Sequence, residues 1–363
     1  MEMIEERSVF GAGAETAWLS WLRVFAICGV MAIHTMGVNA VEDGARHTVR
    51  GWVAIVLDAG SNYTVPVFVM ASGAMLLDPE RFTTTGEFLR KRVLRLVPAI
   101  LFWNLAYAVF VEVTLGRHLS VKEAVGRSLA GTLYTHLYFF WIVLGLSLIA
   151  PVFIAFIRDS SRTAVIILGI GLCSVPALSL ATRGLRHNAA SFDGNAFTWW
   201  VPYLGFFVLG FALRGIVLRR WAMWTAVGVS LGMVALNAWR WQNPDAARLD
   251  HLSPLGYYSA TGAVFAIAVY LAFQSLIAPT GPFRALCRPV PVRLGRLLGD
   301  ATLGVYALHF MILVGTHHLR IGGPKGAPAP TTHDELLRLA VVASVSWAAV
   351  LVLRRFPLLR RVM

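Results

Sequence analysis

The first long apolar segment of the chain, WLSWLRVFAICGVMAIHTMGV, contains two ionisable side chains, Arg23 and His34. Ionisable residues within a membrane-spanning helix are energetically costly and are usually retained for function. Their separation of eleven residues is close to three α-helical turns, so both side chains leave the same helix face. At about 1.5 Å per residue they lie roughly 16 Å apart along the axis. The pair predicts an anchor near one membrane surface and a reactive base deeper in the bilayer, on one wall of a channel.

Each residue also has a structural interpretation when it is taken alone. Arg23 is consistent with a topology anchor whose side chain reaches the membrane surface. His34 is consistent with an interfacial histidine near a helix end. The functional interpretation gains weight only because the two residues share a helix face.

The composition places this pair in a polytopic membrane protein. Hydrophobic residues make up 57% of the chain and charged residues only 14%, whereas soluble domains average about 25% charged residues. An excess of Lys and Arg in cytoplasmic loops accounts for the formal net charge of +13, so we expect no nucleic-acid partner. The three cysteines have no spacing typical of a disulfide framework or a metal site, and we expect no bound metal.

Apolar runs long enough to cross about 30 Å of hydrocarbon predict one all-α integral membrane domain over residues 1–363. About ten such spans lie near residues 18–40, 52–77, 94–115, 136–157, 163–182, 197–217, 221–240, 256–278, 299–316 and 335–353. The distribution of Lys and Arg places both termini in the cytoplasm. After the third span, the apolar residues of SVKEAVGRSLAGTLY recur at helical spacing, which predicts an interfacial helix at the outer surface.

A basic group enters the third span from the predicted cytoplasmic side: Arg90, Lys91, Arg92 and Arg95. One explanation of this group is membrane topology, because Lys and Arg are enriched in cytoplasmic segments. The other is a phosphate-binding site, because guanidinium groups bind phosphoryl oxygens with two parallel hydrogen bonds. A cytoplasmic anion with several phosphates would suit such a site.

A second polar group lies at the predicted depth of His34 and consists of Asp58, Glu112 and His136. A carboxylate bonded to one ring nitrogen of His34 would fix its tautomer and raise its basicity, and Asp58 is the first choice. His309 is the other deeply placed histidine, for which we expect an interhelical hydrogen bond.

Supporting roles fall to a serine, two tyrosines or the backbone. Ser72 is followed by Gly73, but no Gly-x-Ser-x-Gly motif surrounds them, so small residues at a close helix crossing are the expected interpretation. Donors for a developing oxyanion are sought in Tyr203, Tyr306 or a backbone amide at the interrupted start of the second span.

Six motifs then follow one another in an order typical of one family. Arg23 and His34 come first, followed by VPVFVMASGAMLL, Arg90-Lys91-Arg92, HLYFFWIVLGLSLIAP, YLGFFVLGFAL and ATLGVYALHFMIL. Through them the chain resembles the membrane acyltransferase-3 family over nearly its whole length. Phe140-Trp141 replaces the usual Trp-Phe-Leu order and Ala74 replaces an aromatic residue. Because of these departures, the resemblance does not indicate which acceptor molecule receives the acyl group.

The resemblance implies an O-acyltransferase of the bacterial inner membrane, and we expect the stand-alone type. Such proteins move an acyl group, commonly acetyl, from cytoplasmic acyl-coenzyme A to a hydroxyl of an extracytoplasmic glycan or lipid-linked sugar, without a permanently bound cofactor. His34 matches the proposed base, and Arg23, Arg90 and Arg92 match residues thought to handle the donor. Transfer would be direct or would pass through an acyl-His34.

Two other functions are compatible with the same residues. A transporter or flippase for an anionic or glycolipid substrate would also use many spans and intramembrane charges. A non-catalytic membrane sensor or scaffold would need no reactive histidine. The sequence does not indicate the oligomeric state or the identity of the acyl group.

Overall fold

A computed structural model describes residues 16–40, 47–185, 194–243, 253–321 and 331–363. Within these ranges the chain forms α-helices and short 3-10 turns and no strand, which confirms the all-α prediction. The helices are α1 Ala17–Ala40, α2 Val49–Ala59, α3 Thr64–Leu76, α4 Thr85–Leu115, α5 Val121–Ala130, α6 Tyr138–Arg158, α7 Arg162–Leu185, α8 Leu204–Ala212, α9 Arg220–Gln242, α10 Ala260–Leu276, α11 Pro289–Asp300, α12 Thr302–His318, α13 Thr332–Leu353 and α14 Pro357–Arg360.

Several of these helices can cross a membrane. In the described part of the chain, seven segments are long and apolar enough: Ala17–Gly37, Val49–Leu76, Thr85–Leu115, Tyr138–Arg158, Arg162–Arg183, Arg220–Gln242 and Thr332–Leu353. Helices α11 and α12 are bent by 57° relative to each other and together give an eighth. Two shorter apolar helices, Val201–Ala212 and Ala260–Leu276, lie where the sequence predicts two more spans. The protein is therefore a polytopic membrane protein, while ten spans and cytoplasmic termini stay predictions.

The second predicted span is interrupted between α2 and α3, at the polar residues that weaken its apolar pattern. Ser61 donates its hydroxyl hydrogen to the Leu57 carbonyl at 2.6 Å, and such local bonds compete with helix continuation. Asn237 of α9 donates to the carbonyl of Ala59 at 3.1 Å. A carbonyl at a helix end lacks its intrahelical partner, so this bond stabilises the interruption.

Helix α1 lies at the centre of the bundle. It contacts α2, α3 and α10 on one side and α11, α12 and α13 on the other. Its side chains Leu22, Ala26, Ile27 and Met31 are fully buried, as expected for a helix that is apolar around most of its circumference. This position places the face of α1 that carries Arg23 and His34 against α11 and α12.

Helix α4 begins well before the predicted third span. Thr84 caps it by accepting a hydrogen bond from the Glu87 amide at 3.2 Å, and such a cap stabilises a helix start. The basic group at residues 90–95 is therefore helical. Successive residues of a helix point about 100° apart, so these four side chains are distributed over different faces.

The helix predicted after the third span is confirmed as α5. Ser120 and Glu123 form a reciprocal capping box at its start. Val121, Val125 and Leu129 form an exposed apolar stripe with helical spacing. That stripe suits contact with lipid, while the location of α5 at the outer surface stays a prediction.

Two glycines allow α3 and α8 to pack with their backbones in contact. A Cβ atom added at Gly73 would lie 1.8 Å from the carbonyl oxygen of Phe207, and one added at Gly210 would lie 2.0 Å from that of Met70. No side chain can occupy either position without displacing a helix. The expected close crossing at Gly73 is therefore confirmed, and α3 is held rigidly behind the cavity described below.

Replacing Gly73 with alanine is expected to destabilise the protein. Overpacking usually costs about 1–3 kcal/mol, and the upper end is expected here because the new methyl group would meet backbone. Gly171→Ala is the matched control, since no atom lies within 4 Å of its added Cβ. Thermal unfolding of the detergent-solubilised variants measures the difference. Equal melting temperatures for the two variants would contradict the assigned crossing.

Candidate active site

A cavity of about 130 Å³ lies between α1, α3, α4, α6 and α12. Three arginines line one part of it: Arg23 of α1 and Arg92 and Arg95 of α4. Most of its other walls are apolar, and Ser72 of α3 and Tyr306 of α12 also reach it. The structure thus brings together cationic residues that are widely separated in the sequence.

The arginines of this cavity are only partly neutralised. Arg23 contacts Asp300 at 3.3 Å, and that carboxylate is itself 56% exposed. Arg95 lies close enough to repel both Arg23 and Arg92 electrostatically. The Nε atoms of Arg23 and Arg92 are buried and have no hydrogen-bond partner in the described ranges. Converging positive charge with unused N–H donors is a suitable environment for an anion.

The other two members of the basic group lie outside the cavity. Lys91 pairs with Glu87 at 2.6 Å on an exposed surface of α4, and Arg90 is exposed. Helical geometry explains the position of Arg90, which points about 160° away from Arg92 around α4. Lys91 lies one turn before Arg95, and its pairing with Glu87 holds it on the exposed surface. The sequence predicted one group of four, and the structure places only two of them against the cavity.

Tyr306 connects the cavity with three histidines deeper in the bundle. It lines the cavity, and its hydroxyl donates to the backbone carbonyl of His136 at 2.5 Å. Its ring lies 5.3 Å from that of His136 and 5.9 Å from that of His309, measured between centroids. Tyr306 therefore forms the common wall of two adjoining parts of the site.

The histidine cluster consists of His34, His136 and His309. The ring of His34 lies 5.4 Å from that of His309, with the planes inclined by 28°. The rings of His136 and His309 are 5.2 Å apart. Phe310 packs against His34 at 4.4 Å and against His136 at 4.8 Å. His136 and His309 are fully buried, whereas His34 is partly exposed, so His34 is the most accessible member of the cluster.

Hydrogen bonds to carbonyl groups assign the protons of the two buried histidines. Nε2 of His136 lies 3.3 Å from the Ala307 oxygen, and Nδ1 of His309 lies 2.6 Å from the Tyr306 oxygen. Since a carbonyl only accepts, each of these nitrogens carries a hydrogen. The remaining nitrogens, Nδ1 of His136 and Nε2 of His309, are buried and have no partner among the described residues.

The hydrogen-bonding of His309 differs from the sequence prediction. Its bond is made to a carbonyl three residues earlier in its own helix, not to another helix. The interhelical contacts at this level are made instead by His136, through Nε2, and by the hydroxyl of Tyr306. A histidine motif in a sequence does not reveal which ring nitrogen will face its own helix.

The structure does not pair Asp58 with His34. Its Oδ2 atom lies 3.8 Å from a Cβ built at Gly37, which is about one helical turn beyond His34 on α1. Glu112 lies on an exposed surface next to His118, at 3.4 Å. The predicted orienting carboxylate is therefore not found in contact with His34 within the described part of the chain.

Ser72 lies in the cavity wall, but its hydroxyl donates to the Phe68 carbonyl of its own helix at 2.9 Å.

Two other residues at the site were not predicted from the sequence. Asp300 was detectable as the one acidic residue in the basic stretch RALCRPVPVRLGRLLGD. Phe310 directly follows His309, but nothing in the sequence shows that its ring packs between two histidines.

The cavity and the histidine cluster adjoin at Tyr306, and no histidine of the described segments lines the cavity itself. Its cationic end suits an anionic head group, and its apolar walls suit a thin uncharged chain. A neutral imidazole of the histidine cluster has the chemistry of a general base. No group of His, Cys, Asp or Glu in the described ranges is arranged to hold a metal ion.

The match to known families covers the helices that build this site. The model of the acyltransferase-3 family, described as an acyltransferase domain, matches residues 16–353. No curated protein and no solved structure matches the chain significantly. The matched range includes every helix from α1 to α13.

Proposed function

Because the chain belongs to the acyltransferase-3 family of membrane acyltransferases, we propose that it moves an acyl group from acyl-coenzyme A to a hydroxyl. The donor is cytoplasmic, the acyl group is commonly acetyl, and the acceptor is an extracytoplasmic glycan or lipid-linked sugar. One observation carries this proposal: the arginine-lined cavity adjoins the histidine cluster through a single shared residue, Tyr306. The membrane would be the inner membrane of a bacterium.

The donor would enter at the arginines. Coenzyme A carries several phosphates on a long, thin pantetheine arm, so its charge and its reactive thioester are far apart. Arg23, Arg92 and Arg95 would bind phosphoryl oxygens through charge-assisted hydrogen bonds. The apolar wall formed by Phe68, Phe139 and neighbouring side chains would receive the pantetheine arm. The thioester would then point toward Tyr306 and the histidine cluster.

The chemistry would take place at His34. Its ring makes no hydrogen bond in the described part of the chain and is partly exposed, so its base nitrogen is available. His34 would accept the hydroxyl proton of the acceptor as the hydroxyl oxygen bonds to the acyl carbonyl carbon. The carbon–sulfur bond would break, and the proton would pass to the leaving thiolate of coenzyme A. Tyr306, which lines the cavity, would donate its hydroxyl hydrogen to the developing oxyanion, once it leaves the His136 carbonyl.

A transfer assay tests the proposal against the transporter alternative. Purified protein in vesicles would receive acetyl-coenzyme A with a radioactive acetyl group, together with the glycolipid fraction of host membranes. We expect alkali-labile label to appear in the glycolipid, as an oxygen ester requires. A transporter would leave the label on coenzyme A. Absence of covalent transfer from both acetyl- and succinyl-coenzyme A would contradict the proposed donor.

A further inference from the structure

His309 has an unusual environment for a histidine that serves only packing. Its side chain is fully buried, and its Nδ1–H is bonded to the carbonyl of Tyr306 at 2.6 Å. Its Nε2 therefore carries a lone pair and has no partner among the described residues. An unpaired buried polar atom costs about 1–3 kcal/mol. Retention of such an atom inside a site points to a use in function.

Two histidine rings lie beside His309, that of His136 at 5.2 Å and that of His34. The N–H of His136 is already bonded to the Ala307 carbonyl, so of these two rings only His34 has an N–H to donate to His309. The centroids of His34 and His309 are 5.4 Å apart and their rings are within 28° of parallel. Two imidazole rings can be joined edge to edge by an N–H···N hydrogen bond of about 2.9–3.0 Å. The separation of their centroids is then that length plus the radius of each ring, which is comparable with the observed centroid distance. A modest rotation of the partly exposed His34 ring therefore permits an edge-to-edge hydrogen bond. The fixed tautomer of His309 dictates its direction, because Nε2 can only accept.

We propose that His309 is the positioning residue for His34: its Nε2 accepts the N–H of His34 and leaves the other nitrogen of His34 unprotonated toward the acceptor hydroxyl. This inference rests on the proposed function for the base role of His34. It assigns to a neutral imidazole the orienting role that the sequence analysis gave to the carboxylate of Asp58. Phe310, packed against both rings, holds the pair together.

The backbone bond of His309 is the feature that makes this arrangement specific. Tyr306 lies one helical turn before His309, so its carbonyl faces the His309 ring. That carbonyl fixes the Nδ1–H tautomer and leaves Nε2 as the acceptor. In His136 the nitrogen without a hydrogen-bond partner among the described residues is Nδ1. Within the described part of the chain, the ring of His34 contacts His309 and Phe310 and not His136.

Two substitutions separate a positioning role from a structural one. The amide of His309→Asn can replace Nδ1–H on the Tyr306 carbonyl but supplies no acceptor at the Nε2 position. The longer His309→Gln places an amide oxygen near that position. We expect the kcat of acetyl transfer to fall about 10–100-fold in H309N, as when the partner that orients a histidine is removed. The KM for acetyl-coenzyme A should stay within about threefold, and H309Q should retain more activity than H309N.

His317→Asn is the matched control. His317 lies on the same helix, and its Nδ1 is likewise bonded to a backbone carbonyl, that of Leu313 at 2.9 Å. It is exposed and outside the histidine cluster. We expect no change in kcat for H317N. A kcat of H309N equal to that of the wild type would overturn the inference, as would equal losses in H309N and H309Q with a matching drop in melting temperature.

A spectroscopic measurement distinguishes failure of this inference from failure of the proposed function. Nitrogen NMR of histidine-labelled protein reports the His34 tautomer without turnover. We expect one dominant tautomer in the wild type and a mixture in H309N. If the wild type transfers no acetyl group but the tautomer changes in this way, the proposed function fails and the pairing stands. If transfer proceeds and neither tautomer nor kcat responds to H309N, the inference alone fails.

Discussion

Replacement of His34 by alanine is expected to lower the rate of acyl transfer by about 10²–10⁴-fold, the usual contribution of a positioned general base. His34 is the member of the histidine cluster that is partly exposed, so no other described residue of the cluster is equally accessible to an acceptor hydroxyl. Binding of acyl-coenzyme A should change little, because the cationic cavity lies on the other side of Tyr306. The loss should therefore appear in kcat rather than in KM.

The measurement is the acetyl-transfer assay on purified variants in vesicles, at several concentrations of acetyl-coenzyme A. His317→Ala is a suitable control, since it removes an imidazole from an exposed position on α12. A folding defect is excluded by comparing the melting temperatures of the two variants. Transfer at the wild-type rate by a folded H34A protein would remove His34 from the mechanism.

The second large effect is expected at the donor end. Simultaneous replacement of Arg92 and Arg95 by alanine should weaken acyl-coenzyme A binding by about 100-fold. A hydrogen bond to a charged group contributes about 1.5–3 kcal/mol, and about 1.4 kcal/mol corresponds to a factor of ten. Most of the effect should come from Arg92, because Arg95 is exposed and its interactions are screened by water.

Helix α4 offers a closely matched control for this experiment. The double variant of Arg90 and Lys91 removes the same formal charge from the same helix turns, but neither residue lines the cavity. We expect its KM for acetyl-coenzyme A to change less than about threefold. If both double variants weakened binding equally, the basic residues would act only through general positive charge at the membrane surface.

Stability provides an independent readout for the arginines. In the unliganded protein, Arg92 lies over the Phe88 ring at 5.2 Å, whereas Arg95 repels Arg23 and Arg92. These effects oppose each other, so removing Arg92 and Arg95 should change the melting temperature little. Coenzyme A should stabilise the wild type, because a ligand that binds only the folded state raises its apparent stability. That stabilisation should be largely lost in the double variant. A large drop in melting temperature without ligand would instead indicate a structural role.

The alignment of the site's two ends along one face of α1 was predictable because it depends on a single helix. Helical periodicity alone places Arg23 and His34 on one face of α1. In the structure both residues contact the α11–α12 pair, Arg23 through Asp300 and His34 through His309. The interruption of the second span at Gly60–Tyr63 was also visible locally, as polar residues within an apolar run.

The division of the basic group was beyond sequence analysis. The four residues are adjacent along the chain, and any of them can serve positive-inside topology or phosphate binding. Which ones reach the cavity depends on how α4 is rotated against α6 and α12, and packing of apolar side chains such as Leu96, Ala99 and Trp103 sets that rotation. Similarly, the contact of His34 with His309 joins residues far apart in the chain.

The sequence by itself determined the helical, membrane-spanning character of this protein, the motifs of its family and the shared face of Arg23 and His34. These features follow from hydropathy and from the period of one helix. Only the tertiary structure decided that Arg92 and Arg95 line the same cavity as Arg23 and that Asp58 lies apart from His34. It also decided that the unpaired Nε2 of His309 is buried in the histidine cluster, next to His34. Those relations depend on the rotation and crossing of different helices, which side-chain packing fixes and local patterns do not encode.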